Sequence, residues 1–238
     1  MKPETLERFF GIQRIQQFTD APILLHIHGG YWQEETLTHT NNSFPALSLH
    51  NYGIKYISVG YELCPNTNLH GIVNNIELAV YKCLEYAKRL KSRGLYLSGH
   101  SAGAHLVASL FKNFIPTLST EDQKLFKSAF LLCGLYDLSP LVESQANQII
   151  GLDEESAEDA SPIHYSNFGT ETSFHVVVAQ HDSPVFRRQG KRLNDHIMSL
   201  GLHSRYILVE NVDHYEIVEK LTEEEFPLTR HIVNVIIG

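Results

Sequence analysis

The chain of 238 residues is poor in cysteine, holding only Cys64, Cys83 and Cys133, none in a CxxC spacing. So sparse and odd a set excludes a disulfide framework and a thiolate zinc centre, and reads as buried or half-buried thiols of a reducing compartment. No apolar run approaches the roughly 18 residues that a membrane span requires. The first 18 residues carry Lys2, Glu4, Glu7, Arg8 and Arg14 and lack the apolar core of a signal peptide. The expectation is a soluble, cytosolic or nuclear protein. Positive charge is also short, with 19 Lys and Arg against 27 Asp and Glu, a net charge of −8. That balance argues against nucleic acid or an anionic membrane as partner. There is no internal repeat and no low-complexity segment, and 43% hydrophobic with 19% charged residues leaves no case for disorder.

What is present fits one domain, since single hydrophobic cores extend to about 250–300 residues. It is expected to span residues 1–238, with residues 1–20 an atypical, shortened start. Leu6, Phe9 and Phe10 at near-helical spacing suggest a short amphipathic helix over residues 3–17. Short continuous apolar runs at 22–27, 54–59, 95–98, 128–133, 176–179 and 206–209 read as buried strands. Between them lies a long helix over 69–90, where Ile72, Val73, Ile76, Ala79, Val80, Leu84 and Ala87 recur at steps of three and four. Further helical patterns cover 104–111, 215–221 and 227–237, and another carries Phe186, Leu193 and Ile197 on one face before Gly201 stops it. Residues 139–168 are mixed. Strands alternating with helices predict a mostly parallel sheet of about six strands with helices on both faces.

Ligands and catalytic groups in such sheets gather beyond the carboxyl ends of the strands. The residues expected there are His28-Gly29-Gly30 after the first strand, Ser101 after the third, Asp182 after the fifth and His214 after the sixth. Gly99-His100-Ser101-Ala102-Gly103 has the G-x-S-x-G form of a nucleophile elbow, with a strand before it and a helix after it. The order Ser, Asp, His along the chain is that of the α/β-hydrolase triad.

A serine hydroxyl is a weak nucleophile at neutral pH, so a base must take its proton as it attacks. His214 is the candidate base, and Asp182 the carboxylate that would fix its tautomer. Asp213, beside the base, and Asp137, after the fourth strand, are rival carboxylates with blander roles in loop shaping and turn formation. The N–H groups of Gly29, Gly30 and Ala102 are the candidate donors to an oxyanion. His28 reads as a brace for the glycine loop. His26 and His28 are the one pair close enough in sequence to suggest a metal, and structural roles outweigh it; no metal or organic cofactor is expected. Tyr31, Trp32, Tyr61, Phe186 and Tyr215 crowd the same loops and are the candidate walls of a pocket for a flat, partly apolar ligand.

Six stretches carry a resemblance: His28-Gly29-Gly30-Tyr31-Trp32-Gln33, Tyr61-Glu62-Leu63-Cys64-Pro65, and Gly99-His100-Ser101-Ala102-Gly103 with its extension Ala104-His105-Leu106. The others are Leu132-Cys133-Gly134-Leu135-Tyr136-Asp137-Leu138, His181-Asp182-Ser183, and Asp213-His214-Tyr215-Glu216-Ile217-Val218-Glu219. Together they resemble the kynurenine formamidases (arylformamidases), a branch of the α/β hydrolases near the hormone-sensitive-lipase-like esterases. The resemblance implies a serine hydrolase of tryptophan breakdown that acts on a small molecule, N-formyl-L-kynurenine. It also implies a strand pair at the sheet edge before the His-Gly-Gly loop, and no such pair is visible in the 27 residues preceding His28. A bare edge would favour a homodimer or aggregation, and a truncated form of reduced activity is one reading. The rival functions are a broad carboxylesterase on small acyl or aryl esters, and a non-catalytic receptor on the same fold.

Overall fold

The computed structural model describes residues 20–169 and 171–238, so the helix expected over residues 3–17 lies outside the described residues. Among the described residues six strands form one sheet: β1 (Ile23–Ile27), β2 (Lys55–Val59), β3 (Leu95–His100), β4 (Phe126–Leu132), β5 (Ser173–Ala179) and β6 (Ser204–Val209). Their spatial order is β2-β1-β3-β4-β5-β6, and every neighbouring pair is parallel. All six carboxyl ends therefore lie along one rim. The chain moves outward from β1 to β2 and then returns to the other side of β1 as β3. The crevice between β1 and β3 is the switch point at which ligands bind in such sheets.

Side chains alternate between the two faces of each strand, and each face has its own cover. Ile23, Leu25 and Ile27 of β1 join one core with α2 (Leu69–Leu90), α3 (Ala102–Asn113) and Leu193 and Ile197 of α7 (Pro184–Ser199). Leu24, Phe130, Leu132, Val177 and Ala179 face the opposite core, covered by Leu49 of α1 (Ala46–Asn51) and by α8 (Glu216–Glu219) and α9 (Pro227–Ile237). Helix α2 begins where the Asn68 side chain accepts the Gly71 N–H and stops at Lys91, whose left-handed φ of 54° ends the turn.

Several elements run beyond their apolar runs. Strand β3 continues to His100 because Gly99 and His100 still pair with Leu131 and Leu132 of β4. Strand β5 starts at Ser173, where the ladder to Ser128 and the pairing of Phe174 with Ser204 begin. The helix expected over 215–221 is shorter, α8 followed by a 3₁₀ turn over Lys220–Thr222. Between β4 and β5 the mixed stretch folds into short helices only, α5 (Asn147–Ile150), α6 (Glu154–Asp159) and two 3₁₀ turns; α4 (Thr120–Gln123) precedes β4. Gln189 of α7 pins the start of that stretch: its Oε1 accepts the N–H groups of Tyr136 and Asp137.

Candidate active site

Ser101 sits at the turn from β3 into α3 with φ 54° and ψ −119°, a conformation a non-glycine residue holds only under tertiary constraint. Its N–H donates to the Leu132 carbonyl at 2.8 Å, which fixes the turn to β4. The flanking glycines are demanded by space: a Cβ on Gly99 would lie 2.2 Å from the Gly103 carbonyl oxygen, and one on Gly103 would lie 2.1 Å from that of Ile27. The first turn of α3 therefore rests directly on the end of β1. Helix N-termini favour negative charge, and this one begins at Ala102, immediately after the serine.

The loop after β1 reaches the same point. A Cβ on Gly29 would approach the His100 carbonyl oxygen to 2.9 Å, and Gly30 has φ 111°. Among the described residues the N–H groups of Gly29 and Gly30 have no hydrogen-bond partner, and that of Ala102, at the first position of its helix, has none within it. Three unpartnered donors thus lie on the two segments that meet at Ser101, with a Cβ on Gly29 falling 3.0 Å from that of Ser101 and Gly30 lining the same cavity. The loop is braced from behind: the His28 ring stacks on Tyr61 with centroids 4.5 Å apart, and the Tyr61 hydroxyl donates to the carbonyls of His28 and Gly29 at 3.0 and 3.2 Å. Burial pushes the His28 pKa down to about 4.

His214 and Asp182 are brought together, with His214 Nδ1 3.0 Å from Asp182 Oδ2. The carboxylate can only accept, so Nδ1 carries the proton and Nε2 keeps a free lone pair. Asp182 is 6% exposed, and its Oδ1 accepts the Ser183 N–H at 2.7 Å, which sets the carboxylate plane. The rivals are occupied elsewhere. Asp213 accepts the N–H groups of Tyr215 and Glu216, which hold its carboxyl below the usual carboxylate range, and Asp137 pairs with Arg192 at 3.0 Å. The His214 ring lies among Phe186, Tyr215 and His100, with centroids 4.9, 5.4 and 4.8 Å away.

Ser101 and His214 open into a cavity of about 320 Å³, within the range of about 300–1,000 Å³ for small-molecule sites. Tyr31 and Tyr215 line it, joined by Leu37, Phe44 and Val218 on the apolar side and by Gln33, Glu34, Asn41, Asn42 and Glu219 on the polar side. Three aromatic candidates stand elsewhere. Trp32 is fully buried, its indole edge-on to His105 at 5.0 Å, because the left-handed φ values of Tyr31 and Trp32 (47° and 59°) turn the second ring into the core. Tyr61 supports the glycine loop, and Phe186 packs against the base instead of the cavity.

The wall formed by Leu37, Asn41, Asn42 and Phe44 has no counterpart in the sequence reading; this stretch has no periodicity, and its one signal is the run of turn-forming residues Thr40-Asn41-Asn42-Ser43.

One group of potential metal ligands occurs among the described residues: Cys133 Sγ, an Asp182 oxygen and a His214 nitrogen, all within 4.8 Å of one another. Burial and the adjacent Asp182 carboxylate push the Cys133 thiol far up, so it remains protonated and a poor ligand. His26 is tied instead to Ser98 Oγ at 3.0 Å.

Known proteins share both sequence and fold with this chain. Residues 24–153 match a family described by its α/β-hydrolase fold. A kynurenine formamidase of Danio rerio is 32% identical over 221 residues, 91% of this chain and 73% of the relative. One from Salmo salar is 33% identical with the same shares covered. Among solved structures, a hyperthermophilic esterase from the archaeon Pyrobaculum calidifontis superposes with a TM-score of 0.71 at 18% identity, over 93% of this chain and 76% of that one. The last likeness is one of fold alone.

Proposed function

This chain belongs to the kynurenine formamidase family within the α/β hydrolases, and we propose that it cleaves the formamide of N-formyl-L-kynurenine to formate and L-kynurenine with Ser101, His214 and Asp182 as its catalytic triad. The observation that carries the residue assignment is the convergence of three loops on one cavity. Ser101 stands at the strained elbow, His214 is held by Asp182 at 3.0 Å, and the N–H groups of Gly29, Gly30 and Ala102, on the segments that meet there, have no partner among the described residues.

Ser101 Oγ attacks the formyl carbon as His214 Nε2 takes its proton, and the carbonyl oxygen becomes an oxyanion received by the three N–H groups. The imidazolium then gives its proton to the arylamine nitrogen. The C–N bond breaks, L-kynurenine leaves, and a formyl ester remains on Ser101. Water, deprotonated by His214, attacks that ester; formate departs and the serine regains its proton. The acyl part is a single carbon, so selectivity falls on the leaving group. Tyr31, Phe44 and Tyr215 offer flat walls for its ring, and Asn41, Asn42, Glu34 and Glu219 offer polar partners for its zwitterionic end. The three cysteines are free and buried, and no described helix is long and apolar enough to cross a membrane, which supports a cytoplasmic setting for this chemistry.

The test compares kcat/KM for N-formyl-L-kynurenine with that for p-nitrophenyl acetate on the purified chain. Efficient formamide cleavage supports the reading. Ester hydrolysis without measurable formamide hydrolysis refutes it in favour of a broad carboxylesterase.

A further inference from the structure

The residue preceding the nucleophile carries a ring that the steps above leave unused. His100 closes β3 and is 5% exposed. Its Nε2 lies 2.7 Å from the backbone carbonyl oxygen of His214. A carbonyl only accepts, so Nε2 carries the proton and the His100 tautomer is fixed. On the other side of the ring, a Cβ placed on Gly29 would lie 3.3 Å from Nδ1. One imidazole thus touches the loop of the base, borders the loop of the oxyanion donors, and is joined through its own backbone to Ser101.

The remaining ties of the base loop run to a different element. The His181 N–H donates to the Val212 carbonyl at 3.0 Å, and the Asn211 N–H to Gln180 Oε1 at 2.8 Å. With the Asp182–His214 bond, these anchor the base to the loop after β5. Among the described residues no hydrogen bond other than that from His100 joins the base loop to the elbow after β3.

We infer that His100 is a positioning residue which ties the His214 loop to the nucleophile elbow and so sets the approach of His214 Nε2 to Ser101 Oγ. The inference rests on the reading of Ser101 as nucleophile and His214 as base. The role demands a neutral ring, because His214 becomes a cation in each half-reaction 4.8 Å away and a charged neighbour would oppose it. Burial, with the adjacent His214, pushes the His100 pKa down to about 3, so the ring stays uncharged through the neutral range.

Three substitutions separate hydrogen bonding from packing. His100→Phe keeps a ring and loses the donor. His100→Gln places an amide N–H at the reach of Nε2, and His100→Asn places one too short to span the gap. Each is measured for kcat and KM on N-formyl-L-kynurenine and for the rate at which a fluorophosphonate labels Ser101, with thermal unfolding as a check of fold. The expected result is a loss of about 10²-fold in kcat for His100→Phe and His100→Asn, the size of effect that a misplacement near 1 Å produces. KM stays unchanged, labelling slows in parallel, and His100→Gln recovers most of both rates.

Wild-type kcat and labelling in folded His100→Phe or His100→Asn would overturn the inference. Equal losses in folded His100→Gln and His100→Phe would also overturn it, since ring packing and not the donor would then matter. Should His100→Phe fail to fold, the contrast between Gln and Asn decides by the same criteria. Ser101→Ala, run in parallel, separates the two levels: full activity there refutes the nucleophile reading and this inference with it. Loss in Ser101→Ala beside wild-type rates in His100→Asn refutes the positioning role alone.

Discussion

Replacing Asp182 by asparagine changes one atom and should remove nearly all turnover. Asp182 Oδ2 accepts the Nδ1–H of His214 at 3.0 Å, and Oδ1 accepts the Ser183 N–H at 2.7 Å. An asparagine has a single oxygen for these two donors. The Ser183 N–H is fixed in the backbone at the head of α7, so the amide oxygen stays with it and the amide NH₂ turns to His214. His214 Nδ1 must then accept, its proton moves to Nε2, and Nε2 can no longer take the proton of Ser101. An equivalent tautomer inversion in a serine protease lowers kcat about 10⁴-fold, or about 5.5 kcal/mol of transition-state stabilisation. Saturating N-formyl-L-kynurenine, with kynurenine release followed by absorbance, gives kcat directly. Asp182→Asn is close to isosteric, so its unfolding curve should overlay that of the parent chain. A fall of less than about tenfold in a folded variant would refute the reasoning and return the acid role to Asp213 or Asp137.

Other perturbations test the scaffold. Gly103→Ala places a Cβ 2.1 Å from the Ile27 carbonyl oxygen, a backbone atom that cannot swing aside. The expected cost is about 1–3 kcal/mol by urea unfolding, with a lower kcat because the end of β1 carries the Gly29-Gly30 loop; unchanged stability would contradict the close packing of α3 on β1. Trp32→Ala should cost about 3–5 kcal/mol of stability, as deletion of a fully buried aromatic does, whereas Tyr31→Ala should chiefly raise KM. Equal stability losses in the two would refute that division.

Acid should destabilise the fold through its buried histidines. His26 and His100 are held at about 3 and His105 at about 4 by burial, against 6.5 for a free histidine. As pH falls below 6.5 the unfolded chain takes up these protons first. Stability is therefore lost between pH 6.5 and about 4, at about 1.4 kcal/mol per pH unit for each histidine. Urea midpoints that stay level from about pH 7 to about pH 5 would contradict this.

The sheet was legible because its strands are short apolar runs between turn residues, and the span of α2 could be read from the three- and four-residue steps between Ile72 and Ala87. The positions of Ser101, Asp182 and His214 were legible for a related reason, since each lies within five residues of the end of a strand and all carboxyl ends of a parallel sheet share a rim. Residue type did not reveal which way a ring points. Trp32 and Tyr31 are adjacent aromatics in one loop, yet two left-handed backbone residues send one into the core and the other to the cavity. The wall made by Leu37, Asn41, Asn42 and Phe44 comes from a loop without period, placed by tertiary packing. The His100 bond was hidden for the same reason: its acceptor is a backbone carbonyl 114 positions away, a group every residue has.

Formamide hydrolysis is expected to run through Ser101. Titration of the purified chain with a fluorophosphonate tests it most directly, reading the modified residue by peptide mass spectrometry and the remaining hydrolysis of N-formyl-L-kynurenine in the same samples. A single adduct on Ser101 is expected, with a loss of hydrolysis in direct proportion to it. Full hydrolysis by a chain whose Ser101 is modified, or proportional loss with the adduct on another residue, would contradict it.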